Sequence, residues 1–585
     1  MIRRLRPGHE RGVWVPDGAE PASLILEGTG KQALEIGRNR LVVAGAMIAF
    51  AFVAVAVRLV DIAVLKGGEP HIARSTPPHA ATARADVVDR NGVLLATSLP
   101  VVSLYANPRE ILDAAEAAAK IVSVFPDLDR DQVESRLAAP GRFVWIKRNL
   151  TPRQQYEINR LGLPGLAFQT TEKRVYPQGR AAAHVLGFTD VDGRGIAGIE
   201  KRFDAMLAEG EGPLTLSIDV RVQDILRDEL ARQMTRFHAI GAAGVVLDAD
   251  TAEVVGMVSL PDFDANDSSG VAGSEAAFNR ATKGVYEMGS TFKLFTTAMA
   301  LDSGTVGLRD GYDASHPIQI ARFTISDYHG KNRWLSVPEI LVYSSNIGTA
   351  KMALDVGVGL QREYLGAFGL LKTSPVELPE TGAPLAPARW REINAMTIAY
   401  GHGLAVSPLQ LAGGVAALVN GGVLRPVTVF KRDPGGLPEG TAAISEETSR
   451  QMRDLMHLVV LHGTGKMANV PGYAVGGKTG TADKQSGRGY RRDARMASFV
   501  GAFPIHAPRY VVLVMIDEPK GNASTHGYAT GGWIAAPVMR RVVERLGPLA
   551  GLPPDETGKN PPMPAPGRPA LAAVGAGRGG NLDSH

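Results

Sequence analysis

Apolar positions change their period several times along this chain, and each change predicts a different element. RNRLVVAGAMIAFAFVAVAVRLVDIAVL (38–65) holds an uninterrupted apolar run from Leu41 to Val57 and continues through Leu59, Val60 and Ile62. That length predicts a helix able to span a bilayer. DVVDRNGVLLATS (86–98) reads as a hairpin with Asn91-Gly92 as a two-residue turn. DAAEAAAKIVSVF (113–125) and TPRQQYEINRL (151–161) have helical composition. From about residue 214 the texture shifts. GAAGVVLDADTAEVVGMVSLP (241–261) is two valine-rich strands around an Asp-Ala-Asp-Thr turn, and a helix-rich stretch runs from about 290 to 465. Three more strand patterns follow: YAVGGKTGTAD (473–483), MASFVGAFP (496–504) and YVVLVMIDEP (510–519). Two strands before the helices and three after predict one mainly antiparallel five-stranded sheet, closed by distant segments. APVMRRVVERLG (536–547) is a helix that can pack on it. Beyond about 548 the chain is rich in Pro, Gly and Ala and cannot build a core.

The expected fold class is therefore α+β and multi-domain, because 585 residues exceed what one hydrophobic core serves. The patterns divide the chain into a cytoplasmic segment (1–40), a transmembrane helix (41–65), a mixed α/β region (66–213), a larger sheet-and-helix region (214–547) and a disordered tail (548–585). Charge sharpens the first boundary. Arg3, Arg4, Arg6, Arg11, Lys31, Arg38 and Arg40 precede the apolar run, which keeps the N-terminus cytoplasmic and places everything after residue 65 outside. Arg58, near the end of the run, can snorkel to the headgroups. Forty residues before the apolar region are too many for a cleaved signal peptide. The net charge of +4 is small for this length, and no basic run interleaved with aromatics argues for nucleic acid. The absence of cysteine excludes disulfides, thiolate metal sites and a cysteine nucleophile.

One stretch raises a chemical question. YEMGSTFKLFTTAMALDSG (286–304) puts Ser290 and Lys293 three apart among Phe292, Leu294 and Phe295. Residues at i and i+3 share a helix face, so the amine lies near the hydroxyl. Desolvation, or a second lysine nearby, would push the proton off Lys293 and make it a base. The alternative is a lysine that snorkels outward, and SxxK alone is a weak signal. KTG at Lys478, Thr479 and Gly480, followed by Thr481, offers the second cation on a predicted strand. Gly476, Gly477 and Gly480 free that strand of side chains, so that a substrate backbone can lie alongside. Between the two motifs, YSSNIGTA supplies Ser344 as a proton relay and Asn346 as a clamp on Lys293, although a serine there also reads as an ordinary helix cap. Asp327, His329, His402 and His462 read as structural or rim residues, since no metal-ligand spacing such as HExxH is present. Each motif alone has a bland explanation. Together, in the order SxxK, SxN, KTG, they form the signature of penicillin-binding proteins and class A β-lactamases.

The chain resembles the class B penicillin-binding proteins, monofunctional D,D-transpeptidases of cell-wall synthesis, from the membrane anchor to about residue 547. ADVVDRNGVLLA (85–96), RVYPQGRAAAHVLGF (174–188) and GIAGIEKRFDAML (195–207) match that family's non-catalytic pedestal, and YGHGLAVSPLQLA (400–412) its catalytic region. YATGGWIAAPVMRRVVERLGPLAGL is closer to the division-specific branch than to the elongation branch. Met288 replaces the usual proline before Gly-Ser, and Ala85 the common glycine after Arg84; neither change removes a chemical group. The resemblance implies a penicillin-binding transpeptidase domain on a pedestal. It also implies that Ser290 attacks the carbonyl between two terminal D-alanines of a peptidoglycan stem peptide while Lys293 takes its proton. Amides of Ser290 and Thr481 would form the oxyanion hole. Lys478, Thr479, Gly480 and Thr481 would hold the substrate, and Ser344 and Asn346 would complete the proton network. No cofactor or metal is implied. Implied partners are β-lactams, which acylate the same serine, an FtsW-type lipid-II polymerase and other division proteins at the septum of the inner membrane. A D,D-carboxypeptidase or β-lactamase uses the same trio, but the anchor and the long pre-catalytic region count against a β-lactamase.

Overall fold

The computed structural model describes residues 42, 45–56, 83–320, 323–433, 436–486 and 489–554. Within the predicted membrane segment, residues 45–56 are helical, while most of the rest of 41–65, the leader 1–40 and the tail beyond 554 lie outside the described residues. Among the described residues no helix is long and apolar enough to cross a membrane. The described residues from 83 onward form one compact unit.

The first part of that unit is built on strand Leu94–Ala106, which pairs antiparallel with Val87–Val88, Val144–Leu150 and Leu166–Val175. Helix Ala114–Val124 starts where the Asp113 carboxylate accepts the amides of Ala115 and Glu116, and Pro152–Asn159 starts in a Thr151/Gln154 capping box. These helices, with Arg130–Leu137, bury Ile121, Phe125 and Ile158 against Leu104, Ile146 and Leu150. The expected hairpin at 86–98 is present, but its turn is wider than two residues. The strands stop at Val88 and Leu94 because the buried Asp89 carboxylate accepts the amides of Asn91 (2.7 Å), Val93 (2.8 Å) and Val220 (3.2 Å). Leu214–Thr215 still belongs to this sheet, running parallel to Val87–Val88. A buried ion cluster ties the region together: Glu200, fully buried, accepts from Arg84 Nε at 2.6 Å and from Arg174 Nε at 2.7 Å.

The second part holds the predicted five-stranded sheet. Its strands are β1 (Gly241–Asp248), β2 (Val254–Leu260), β3 (Gly476–Ser486), β4 (Gly489–Phe503) and β5 (Tyr510–Asp517), antiparallel in the order β3-β4-β5-β1-β2. Successive strand residues face opposite sides. Val246, Val512, Val514 and Phe499 pack toward helices α1 (Val220–Arg236) and α7 (Ala536–Leu549). Val245, Leu247, Leu513 and Val500 pack into the core formed with α2 (Lys293–Asp302), α5 (Pro408–Val419) and α6 (Glu446–His462). Because both faces are covered, β1, β2 and β5 are buried along their whole length, which is why they read as nearly unbroken apolar runs rather than alternating ones. Each fully buried Val, Leu or Ile contributes about 1.5–3 kcal/mol. Two short helices complete the framework, α3 (Val337–Tyr343) and α4 (Asn346–Val356). β3 is an edge strand. Among the described residues its outer side has no strand partner within the sheet, so an extended chain can add there.

Candidate active site

Ser290 lies in the 3-10 turn Gly289–Phe292 that leads into α2, and Lys293 is the first residue of α2. Two backbone contacts fix that turn. Gly289 has φ of 55°, and a Cβ there would stand 2.5 Å from Thr481 O and 3.2 Å from Thr481 N; a Cβ on Gly401 would stand 2.0 Å from Gly289 O. The serine turn is therefore pressed between the Thr481 peptide of β3 and the 401 loop. Ser290 itself is half-buried, while Lys293 is fully buried beside Phe292 and Phe295.

Ser344 reaches Lys293 from the other side. It ends α3 in the left-handed conformation (φ 59°, ψ 46°), which costs a non-glycine residue on the order of 1 kcal/mol or more. That turn presents both the carbonyl and the hydroxyl of Ser344 to Lys293 Nζ, at 2.5 Å and 3.0 Å, and Asn346 Oδ1 accepts from the same nitrogen at 2.7 Å. The helix-cap reading of this stretch belongs to Ser345 instead, whose hydroxyl accepts the Gly348 amide. Lys478 Nζ donates to the same Ser344 hydroxyl at 3.0 Å. The three motifs thus meet at one oxygen. Among the described residues Ser290 Oγ makes no hydrogen bond to Lys293, whose amine is engaged by Ser344 and Asn346.

Burial pushes Lys293 well below the ordinary lysine range, the charge of Lys478 pushes it further, and Asp327 pulls in the opposite direction. Burial also brings Lys478 down to about 7. Three acceptors around Lys293 Nζ suit an ammonium, so geometry and desolvation oppose each other. With Lys478 donating to Ser344 Oγ, the Ser344 hydroxyl proton is free to meet the lone pair of Lys293 whenever that amine is neutral.

Thr479 is 7% exposed, and its hydroxyl lies 2.7 Å from that of Thr464. Thr481 Oγ1 accepts the Gly531 amide at 3.0 Å and keeps its own proton to donate. The three glycines do not leave space for substrate, as their sequence context suggests. A Cβ on Gly480 would meet Ser498 Oγ and Met288 O, one on Gly477 the Phe499 ring, and one on Gly476 Ile505. They let the protein close on itself, and the open edge of β3 is what remains for an extended ligand. Of the rim residues, His402 Nδ1 stands 3.2 Å from Glu287 Oε2, His329 stacks edge-on to Tyr328, and His462 ends α6. Asp327 sits at the N-terminus of α4. Sequence reasoning missed Thr464, whose only local signal is the Gly463-Thr464-Gly465 turn after α6.

The chain is similar to known proteins over most of its length. A family model described as the penicillin binding protein transpeptidase domain matches residues 242–544, and one described as the penicillin-binding protein dimerisation domain matches 79–221. A probable peptidoglycan D,D-transpeptidase FtsI of Caulobacter vibrioides is 44% identical over 483 residues, 80% of this chain and 82% of the relative. Peptidoglycan D,D-transpeptidase FtsI of Escherichia coli is 32% identical over 497 residues, 79% and 83% of the two chains. The crystal structure of penicillin binding protein 3 of Mycobacterium tuberculosis complexed with aztreonam superposes with a TM-score of 0.65 at 25% identity, covering 81% of this chain and 97% of that one.

Proposed function

This chain belongs to the class B penicillin-binding proteins of the FtsI type, and from that premise we propose that it cross-links peptidoglycan stem peptides through an acyl-enzyme on Ser290. The observation that carries the site assignment is the convergence of Lys293 and Lys478 on one Ser344 hydroxyl, both lysines fully buried. Neutral Lys293 takes the Ser290 proton as Oγ attacks the carbonyl of the penultimate D-alanine. The oxyanion forms beside the Ser290 and Thr481 amides, a reading supported by the close approach of Gly289 to the Thr481 peptide. The C–N bond breaks, and the proton returns from Lys293, through Ser344, to the departing D-alanine amine. An amine of a second stem then attacks the ester, loses its proton by the same route, and leaves the new amide with Ser290 free. Lys478, Thr479 and Thr481 hold the terminal carboxylate, and the substrate backbone lies along the edge of β3.

The protein is a peptidoglycan D,D-transpeptidase of cell division, and its finer context follows from the same reading. Segment 41–65 anchors it in the inner membrane with residues 1–40 cytoplasmic and the catalytic region periplasmic, supported by the apolar run from Leu41 and its basic flank. Residues 66–213 serve as pedestal and 214–547 as transpeptidase domain, and an FtsW-type polymerase supplies the glycan strands at the septum. A labelled penicillin, followed by peptide mapping, tests the assignment. The label is expected on Ser290 and absent from S290A; label elsewhere would overturn it. Incubating the acyl-enzyme of a D-Ala-D-Ala donor with an amine in water then separates transfer from hydrolysis.

A further inference from the structure

The loop before α3 contains a carboxylate that the mechanism above does not use. Asp327 Oδ1 accepts the backbone amides of Asn346 at 2.5 Å and of Ile347 at 3.0 Å, and Oδ2 accepts the Ser345 hydroxyl at 2.7 Å. One residue earlier, Ser326 O accepts from Asn346 Nδ2 at 2.9 Å. Ile325, buried against Ala350 of α4 and Met396, anchors the segment on its inner side. The consequence for Asn346 is specific. With its amide nitrogen held by Ser326 O, its amide oxygen must face Lys293, where it accepts at 2.7 Å. Asp327 meanwhile holds the peptide between the two residues that grip Lys293, Ser344 and Asn346.

Resting on the transpeptidase reading, we propose that Asp327 is a positioning residue for that reaction: through α4 it holds Ser344 and Asn346 against Lys293 and keeps the Asn346 carbonyl turned to the base. A carboxylate suits this place because it accepts several amides at a helix N-terminus, where the backbone dipoles favour negative charge. Its charge has a second effect, separable from its shape. The charged groups facing Lys293 are Lys478 from β3, which lowers its proton affinity, and Asp327, which raises it; Ser290, Ser344 and Asn346 are uncharged. Removing the negative charge without changing the shape makes Lys293 lose its proton at lower pH.

The test is the second-order rate of acylation by a fluorescent penicillin, followed against pH in the full-length chain for wild type, Asp327→Asn, Asp327→Ala and Ser345→Ala. Asp327→Asn keeps the outline and an acceptor oxygen, and is expected to move the acid limb of the profile down by about 0.5–1 pH unit, from Coulomb's law at an intermediate dielectric. Asp327→Ala loses both the clamp and the charge, and is expected to acylate at least about tenfold more slowly at the optimum. Ser345→Ala removes a cap but no charge, so its acid limb should stay with wild type. A cap of purely structural importance predicts that Asp327→Asn and Ser345→Ala behave alike. The proposal fails if the Asp327→Asn profile superimposes on that of wild type, or if folded Asp327→Ala acylates within about threefold of it. Should Asp327→Ala not fold, the shape-preserving Asn variant decides alone. Failure of wild type itself to label at Ser290 would strike the functional reading instead, so the two are distinguishable.

Discussion

The chain buries charge in two places, and the two are built in opposite ways. In the part of the chain before the catalytic sheet, Glu200 is held between the guanidinium groups of Arg84 and Arg174, and Asp204 takes a further bond from Arg84 at 2.8 Å. In the catalytic region, Lys293 and Lys478 are both fully buried and share one serine hydroxyl, with no carboxylate among the described residues in hydrogen-bond contact with either. Opposite charges buried together lock the segments that carry them. Like charges buried together destabilise ionisation, and a lysine that has lost its proton is a base. The first arrangement makes a scaffold, and the second makes a reagent.

The largest effects expected from this contrast run in different observables. Lys293→Met removes the base, and acylation by a penicillin should fall by roughly 10²–10⁴-fold. Its thermal midpoint should move little, because relief from burying the amine is offset by the loss of its bonds to Ser344 and Asn346. Glu200→Ala should do the reverse. It strands two buried guanidinium groups, for a loss of about 3–5 kcal/mol in denaturant unfolding, while the folded fraction acylates at the wild-type rate. A Lys293→Met protein that unfolds easily, or a folded Glu200→Ala protein that is silent toward penicillin, would erase the distinction between the two sites.

A smaller effect sharpens it. Lys478 titrates near 7 in the folded chain and near the ordinary lysine value of 10.5 when unfolded. Between those values the unfolded chain binds more protons, so stability should rise with pH from about 7 to 10.5 and be insensitive to this group below 7. One group contributes at most about 1.4 kcal/mol per pH unit. Lys478→Met should reduce that rise in urea titrations between pH 7.5 and 10, leaving the part that the lowered Lys293 contributes. An unchanged slope would mean that Lys478 remains protonated in the fold.

Much of this is legible in the amino-acid sequence. The strands of the catalytic sheet are apolar on both faces, so Val245 through Leu247 and Val511 through Ile516 announce themselves by hydropathy alone. The motif trio picks out Lys293, Ser344, Asn346 and Lys478, which the fold brings into hydrogen-bond contact, and Lys293 among phenylalanines raises the question of its charge. What stayed hidden was set by backbone approach and by contacts far apart in sequence. Gly480 looks like room for substrate until Met288 O and Ser498 are seen to fill it. Ser344 and Ser345 cannot be told apart as relay and cap without the left-handed turn that ends α3. The wide loop after Val88 follows from the buried Asp89 carboxylate, which no Asn-Gly pattern reveals. Asp327 and Thr464 carry no motif, because each acts on a neighbour that does.

Thr464 offers the mildest way to probe the catalytic side of the comparison. Its hydroxyl lies 2.7 Å from that of Thr479, which Lys478 Nζ also approaches at 3.4 Å. A hydroxyl has one proton to give and two lone pairs to fill. If Thr464 donates to Thr479, the Thr479 proton is left free to point at a substrate carboxylate; without that donor the proton can turn inward. Thr464→Val keeps the branched shape and removes only the oxygen. A hydrogen bond of this kind is worth about 0.5–1.5 kcal/mol net, which corresponds to roughly a two- to twelvefold loss in acylation efficiency. The loss should appear with a thioester donor that ends in a free carboxylate and vanish with the same donor ending in an amide, since only the first needs the Thr479 proton. Equal losses with both would reduce Thr464 to a packing residue and leave the carboxylate to Lys478 and Thr481.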